Sequence, residues 1–147
     1  MNATWRPIRV ALLAAVALGL APTGGADDTL SQAAFPPVVV RTVPAAGDAG
    51  VDPRLREVRV TFSREMQTKE MWSFVTANPA AFPKIAGPIR YLDDKRTCVM
   101  PVSLAPGTTY GMWINSREHT AFRDTRHQPA VPYLLVFATS PAPPASR

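Results

Sequence analysis

The sequence predicts an all-β fold, an antiparallel β-sandwich of about seven short strands. Three observations carry that expectation. Apolar residues alternate with polar ones in short runs, the signature of half-buried strands. Clusters of Gly, Pro, Asp and Asn punctuate these runs at intervals of roughly ten residues. The 16 prolines among 147 residues are about twice the ordinary share and leave no stretch suited to a long helix. A small barrel is the alternative closure of the same strands.

Taken in order, Val38-Val39-Val40-Arg41-Thr42-Val43 is rich in β-branched residues and stops at Pro44. Residues 45–53 (AAGDAGVDP) form a loop. Val58, Val60 and Phe62 then alternate with Glu57, Arg59 and Thr61, which places three large apolar groups on one face. Residues 64–75 are ambiguous, a helical turn or a strand beginning near Met71. Ile89 and Tyr91 flank Arg90, and Asp93-Asp94-Lys95 reads as a hairpin turn leading back into Thr97–Val102, with Cys98, Met100 and Val102 on one face. Leu104-Ala105-Pro106-Gly107 is a tight turn. Tyr110, Met112 and Ile114 share one side of the next strand, and Trp113 stands on the other. Residues 116–132 are polar and aperiodic, and Tyr133–Thr139 is the last strand.

The expected core is Val38, Val40, Val58, Val60, Phe62, Cys98, Met100, Leu104, Tyr110, Met112, Ile114, Leu135 and Phe137. Burying each large member contributes about 1.5–3 kcal/mol before entropy is set against it. Cys98 is the sole cysteine, so no internal disulfide helps, and its apolar setting suits an inert buried thiol.

The N-terminus has the layout of a secretory signal peptide over residues 1–26. Arg6 and Arg9 precede an apolar run of eleven residues, Val10 to Leu20, and Gly24-Gly25-Ala26 supplies a small-residue exit. A helix of that length spans about 16 Å, roughly half a bilayer's hydrocarbon core. A retained membrane anchor is the competing reading. Residues 27–36 are expected to be a linker, 37–140 the domain, and 141–147 a frayed, disordered tail. Export implies a secreted, periplasmic or extracellular protein with no stable membrane insertion once the signal is removed. The formal charge is +5, from 16 basic and 11 acidic residues. Without residues 1–26 it is +3, from 14 against 11, too mild and scattered for a nucleic-acid partner.

Several fragments in a fixed order carry a resemblance. They are Pro37-Val38-Val39-Val40, Thr42-Val43-Pro44-Ala45-Ala46-Gly47, Val51-Asp52-Pro53, Val60-Thr61-Phe62-Ser63, Leu104-Ala105-Pro106-Gly107-Thr108-Thr109-Tyr110 and Val136-Phe137-Ala138-Thr139. Together they resemble the bacterial immunoglobulin-like domain of the S-layer (SbsA) type. The 104 positions of 37–140 suit the ~100 residues of such a sandwich, and Tyr110, just after a Pro-Gly turn, suits a tyrosine corner. The resemblance implies an exported, non-catalytic structural or adhesive module, usually joined to other domains. Where it leads one to expect an Asp-x-x-Gly-Asn type loop before the last strand, this chain has Phe122-Arg123-Asp124-Thr125-Arg126-His127, read here as a connection only.

Candidate chemistry is sparse. His119, Asp124 and His127 share one loop and offer ligand types that zinc or copper accepts, but their spacing matches no compact metal motif. Asp93 and Asp94 as calcium ligands are opposed by Lys95 and Arg96 next to them. Nothing places Glu65 and Glu70 across a cleft, and nucleophile-elbow, zincin and phosphate-loop motifs are absent. No catalytic residue, metal site or cofactor is assigned, and the chain reads as a non-enzyme. The rival is a secreted metal-binding protein or hydrolase using the His119–His127 loop.

With Met112, Ile114, Leu135 and Phe137 facing inward, Trp113, Leu134 and Val136 face outward from neighbouring strands. They form a candidate apolar binding patch for an envelope protein or polysaccharide, unless Trp72, Phe35 or the 116–132 loop covers it. Arg117, Arg123 and Arg126 would add attraction for acidic glycans if they are free.

Overall fold

A computed structural model describes residues 30–142. The expected signal peptide over 1–26 and the tail beyond Ala142 lie outside the described residues. Eight strands follow one another: β1 (Val39–Val43), β2 (Glu57–Phe62), β3 (Phe74–Thr76), β4 (Lys84–Ile85), β5 (Arg90–Tyr91), β6 (Thr97–Ser103), β7 (Thr109–Ile114) and β8 (Tyr133–Ala138). They divide into two antiparallel sheets. One runs β1-β2-β6-β4, with β5 also paired to β6; the other runs β3-β7-β8. This is the two-sheet arrangement of an immunoglobulin-like sandwich, as expected. The remaining regular pieces are 3-10 turns at Gln32–Ala34 and Pro79–Ala81, in keeping with the proline content.

Period-two alternation builds the core. Val58, Val60 and Phe62 of β2, Cys98, Met100 and Val102 of β6, Met112 and Ile114 of β7, and Leu135 and Phe137 of β8 are all essentially sealed from solvent. The expected membership fails at Val38 and Val40, which are 41% and 54% exposed. The cause is a bulge in β1: Val39 pairs with Phe62 but Arg41 pairs with Thr61. The extra residue puts Val40 and Arg41 both outside, so Val39 and then Thr42 turn inward.

The aperiodic stretch 116–132 proves to be an ordered plug. Phe122 is wholly buried, its ring 5.0 Å from that of Phe62 and edge-on to Phe74 at 5.1 Å. Asn115, also wholly buried, holds the plug in place. Its Nδ2 donates to the carbonyls of Phe122 and Ala130, and its Oδ1 accepts from Phe122 N–H. Asn115 adopts a φ of 57°, a left-handed conformation that Asn tolerates better than most residues.

The Pro106-Gly107 turn is closed by two hydroxyls acting on the backbone of one residue, Ala105. Tyr110 Oη accepts from Ala105 N–H at 2.8 Å, and Thr139 Oγ1 lies 2.6 Å from Ala105 O. Tyr110 is thus a tyrosine corner, with its ring tilted 35° against that of Phe137 at 5.4 Å. A strap over residues 47–51 runs beside β8 on the side away from β7. Gly47 N–H donates to Val136 O, Ala138 N–H to Asp48 O, Val51 N–H to Ala138 O and Ser140 N–H to Val51 O.

Candidate binding face

Register decides which side chains leave the core. On β7 and β8, Gly111 opposes Val136 and Trp113 opposes Leu134, while Val75 of β3 opposes Trp113. These residues share the outer face of the β3-β7-β8 sheet. Leu134 and Val136 are 40% and 38% exposed, and Trp113 and Val75 are half-buried. Gly111 contributes flatness, because a Cβ there would sit 3.8 Å from Val136 Cγ2. No charged side chain projects from the paired residues of these strands on this face. Trp113, Leu134 and Val136 were legible from alternation; Val75 and Gly111 needed the cross-strand register.

The outer face of the other sheet is built in the opposite way. Val99 of β6 is fully buried although it points away from the core, with Arg59 and Arg90 as its cross-strand neighbours. Glu57 Oε1 accepts from Arg59, and its Oε2 accepts from Arg90 Nη2 at 3.1 Å. This Arg-Glu-Arg bridge holds the arginine stems over Val99. The Arg59 hydrogen bond outweighs burial and, with Arg90, holds the Glu57 carboxyl below the usual carboxylate range. The Thr61 and Thr97 hydroxyls meet at 3.0 Å beside it.

The loop with two histidines places its candidate groups in separate structural bonds. Asp124 is buried, and its Oδ1 accepts from the N–H groups of Arg126 and Gln128, while Oδ2 faces Arg64 Nη1 at 3.4 Å. His127 Nδ1 meets Gln67 Nε2 at 2.8 Å, and His119 Nδ1 meets Ser116 Oγ at 3.4 Å. Among the described residues, no group of three or more His, Cys, Asp or Glu is placed to hold a metal ion. The loop is more than a connection: Asp124 caps the turn that ends at Gln128, and His127 occupies its left-handed position at φ 66°, where a glycine would be unstrained.

Two of the three loop arginines are also engaged. Arg123 donates to Thr120 O, Thr120 Oγ1 and His127 O, and Arg126 Nη1 reaches Ala33 O at 3.5 Å. Arg64 Nη2 donates to Gln32 O, so the end of the segment read as a linker lies along the domain. Asp94 spends its oxygens on its own hairpin, accepting from Arg96 N–H, Thr97 N–H and Thr97 Oγ1. Burial alone would raise its carboxyl, but these bonds and the Arg96 charge hold it below the usual range. Glu65 lies 3.9 Å from Lys95 Nζ. Burial pushes the Cys98 thiol up to about 12, the opposite of what a nucleophile needs.

The two sheets, the tyrosine corner and the Asp124 turn define an immunoglobulin-like module. The model of the bacterial Ig-like domain family matches residues 33–139, and the chain belongs to that family. No curated protein matches it. Among solved structures, the crystal structure of the S-layer protein rSbsC(31-844) and the structure of surface layer protein SbsC, domains 1-6, are similar at 18% identity, with TM-scores of 0.47 and 0.48. Each similarity covers 78% of this chain and 15% of the other, so the chain spans a small part of their length. Among the described residues, no helix is long and apolar enough to cross a membrane.

Proposed function

We propose that the chain is an exported, non-catalytic module of the cell envelope with a structural or adhesive role, and that it packs against a protein partner through Trp113, Leu134 and Val136. The exposed, uncharged outer face of β3-β7-β8 carries this reading. The same fold seals its opposite outer face under an ion-pair bridge, so an open apolar strip here is not forced by the architecture. A flat, uncharged strip on which Trp113 offers a single indole N–H donor suits another protein's apolar face better than a polysaccharide. The basic start and apolar run of residues 1–20 support export.

Sedimentation with native envelope fragments tests the binding face. Wild type is expected to co-sediment, and Trp113→Ala and Leu134→Lys are each expected to weaken the association about tenfold, as central residues of interfaces do. Retention that is indifferent to both substitutions would remove the role assigned to this face. Recovery of the protein in the cytosolic fraction with residues 1–26 intact would remove the envelope assignment.

A further inference from the structure

A second surface combines aromatic and polar groups. Between the chain entering β3 and the edge strand β5 lies an open groove of about 630 Å3, within the roughly 300–1,000 Å3 of small-ligand sites. Its floor is Trp72, Ile89 and Tyr91, all half-buried and packed against the core. Tyr91 Oη donates to Met71 O at 2.9 Å, which ties the two walls together, so the groove is preformed. Its rim carries Thr68, Lys69, Glu70 and Arg90. Lys69 and Glu70 make no salt bridge among the described residues, whereas Arg90 shares Glu57 with Arg59. Glu70 is held at φ 53°, a left-handed conformation that costs a non-glycine residue about 1–2 kcal/mol.

We propose that this groove binds a neutral hexopyranose unit of a polysaccharide. A pyranose ring presents an apolar C–H face and a belt of hydroxyls that both donate and accept. The groove answers both parts. Trp72, Ile89 and Tyr91 give the ring an apolar bed, Lys69 and Arg90 donate, Glu70 accepts, and the Thr68 hydroxyl does either. The charges settle the class of sugar. Lys69 and Glu70 cancel, and Glu57, shared by Arg59 and Arg90, leaves one net positive charge in the cluster, too weak a field to select a polyanion. An extended peptide is disfavoured for a different reason: β5 is two residues long, too short an edge for strand addition. The site is separate from the Trp113 face and does not rest on it.

Amide NMR on the isotope-labelled protein tests the proposal, with cello-, chito- and malto-oligosaccharides as neutral probes and polygalacturonate as the charged one. At least one neutral probe is expected to produce saturable shifts in residues 68–72 and 89–91 at millimolar concentration. Lys69→Ala and Glu70→Ala, both on the exposed rim, are each expected to weaken that binding about tenfold while leaving the core resonances in place, since each removes a hydrogen bond to a charged group. Trp72→Phe, which keeps an aromatic floor, is expected to weaken it less than either. Absence of saturable shifts with all three neutral probes would overturn the assignment. So would shifts confined to the Trp113 face, or polygalacturonate binding more tightly than every neutral probe.

Discussion

The two outer faces of this sandwich solve the same problem differently. Each sheet must present one face to water, and each places a valine near the middle of that face. On the β1-β2-β6 side Val99 is fully buried beneath Arg59, Glu57 and Arg90. On the β3-β7-β8 side Val136 stays 38% exposed beside Gly111 and Leu134. Charged residues with long apolar stems can thatch a sheet, and where they are withheld the apolar surface remains available to a partner. The side chains that flank each valine mark the difference: Arg59 and Arg90 across from Val99, Gly111 across from Val136.

The largest expected contrast is in thiol chemistry. Cys98 sits wholly within the core with its pKa pushed up to about 12, so near pH 8 its thiolate fraction is on the order of a thousandfold below that of a free cysteine. Iodoacetamide is expected to leave native Cys98 unmodified while labelling a Val136→Cys variant readily, followed by mass spectrometry. Equal labelling of both positions would break the distinction between inside and open face.

A smaller effect separates the two valines. Val99→Ala is expected to lower stability by about 1–2 kcal/mol, and Val136→Ala by less than about 0.5 kcal/mol, both read from urea denaturation midpoints. Matching losses would mean that the arginine stems do not seal Val99.

The ion-pair bridge gives a pH signature of known sign. Glu57's pKa is lowered in the folded state, so its contribution is present above the unfolded value of about 4.3 and is lost as pH falls through the folded one. Wild type is therefore expected to lose more stability than Glu57→Gln between about pH 6 and about pH 3. The excess should be under about 1 kcal/mol, as suits a partly exposed pair. Smallest of all, Leu134→Lys is expected to change stability by less than about 0.5 kcal/mol by the same denaturation assay, so any loss of envelope association reports on the face rather than on folding.

Much of the sandwich could be read from the chain alone, because β2 alternates strictly and the core positions of β6, β7 and β8 recur at every second residue. Tyr110 and the Asp93-Asp94-Lys95 hairpin were equally legible, since turn chemistry is local. Val38 and Val40 went astray because a bulge is a property of two strands, visible only once Val39 and Arg41 have partners. Phe122 was hidden because its burial depends on Asn115, whose bonds reach 7 and 15 residues ahead. The candidate face was half visible: Trp113, Leu134 and Val136 follow from alternation, but Val75 and Gly111 join them only across the ladder. Val99 is the reverse case, an outward residue that is nonetheless fully buried, which alternation alone does not reveal. The groove at Trp72 and Tyr91 unites segments about twenty residues apart that no local pattern links.

The strap beside β8 has a mechanical consequence. Residues 47–51 grip the last strand on one side while β7 holds it on the other. A pull on the chain end along the strand direction would have to shear both rows of hydrogen bonds together rather than peel one open from its tip. A module threaded between neighbours under tension would therefore yield late at this end. Cys98 is the sole cysteine, so these backbone bonds bear such a load with no disulfide to share it.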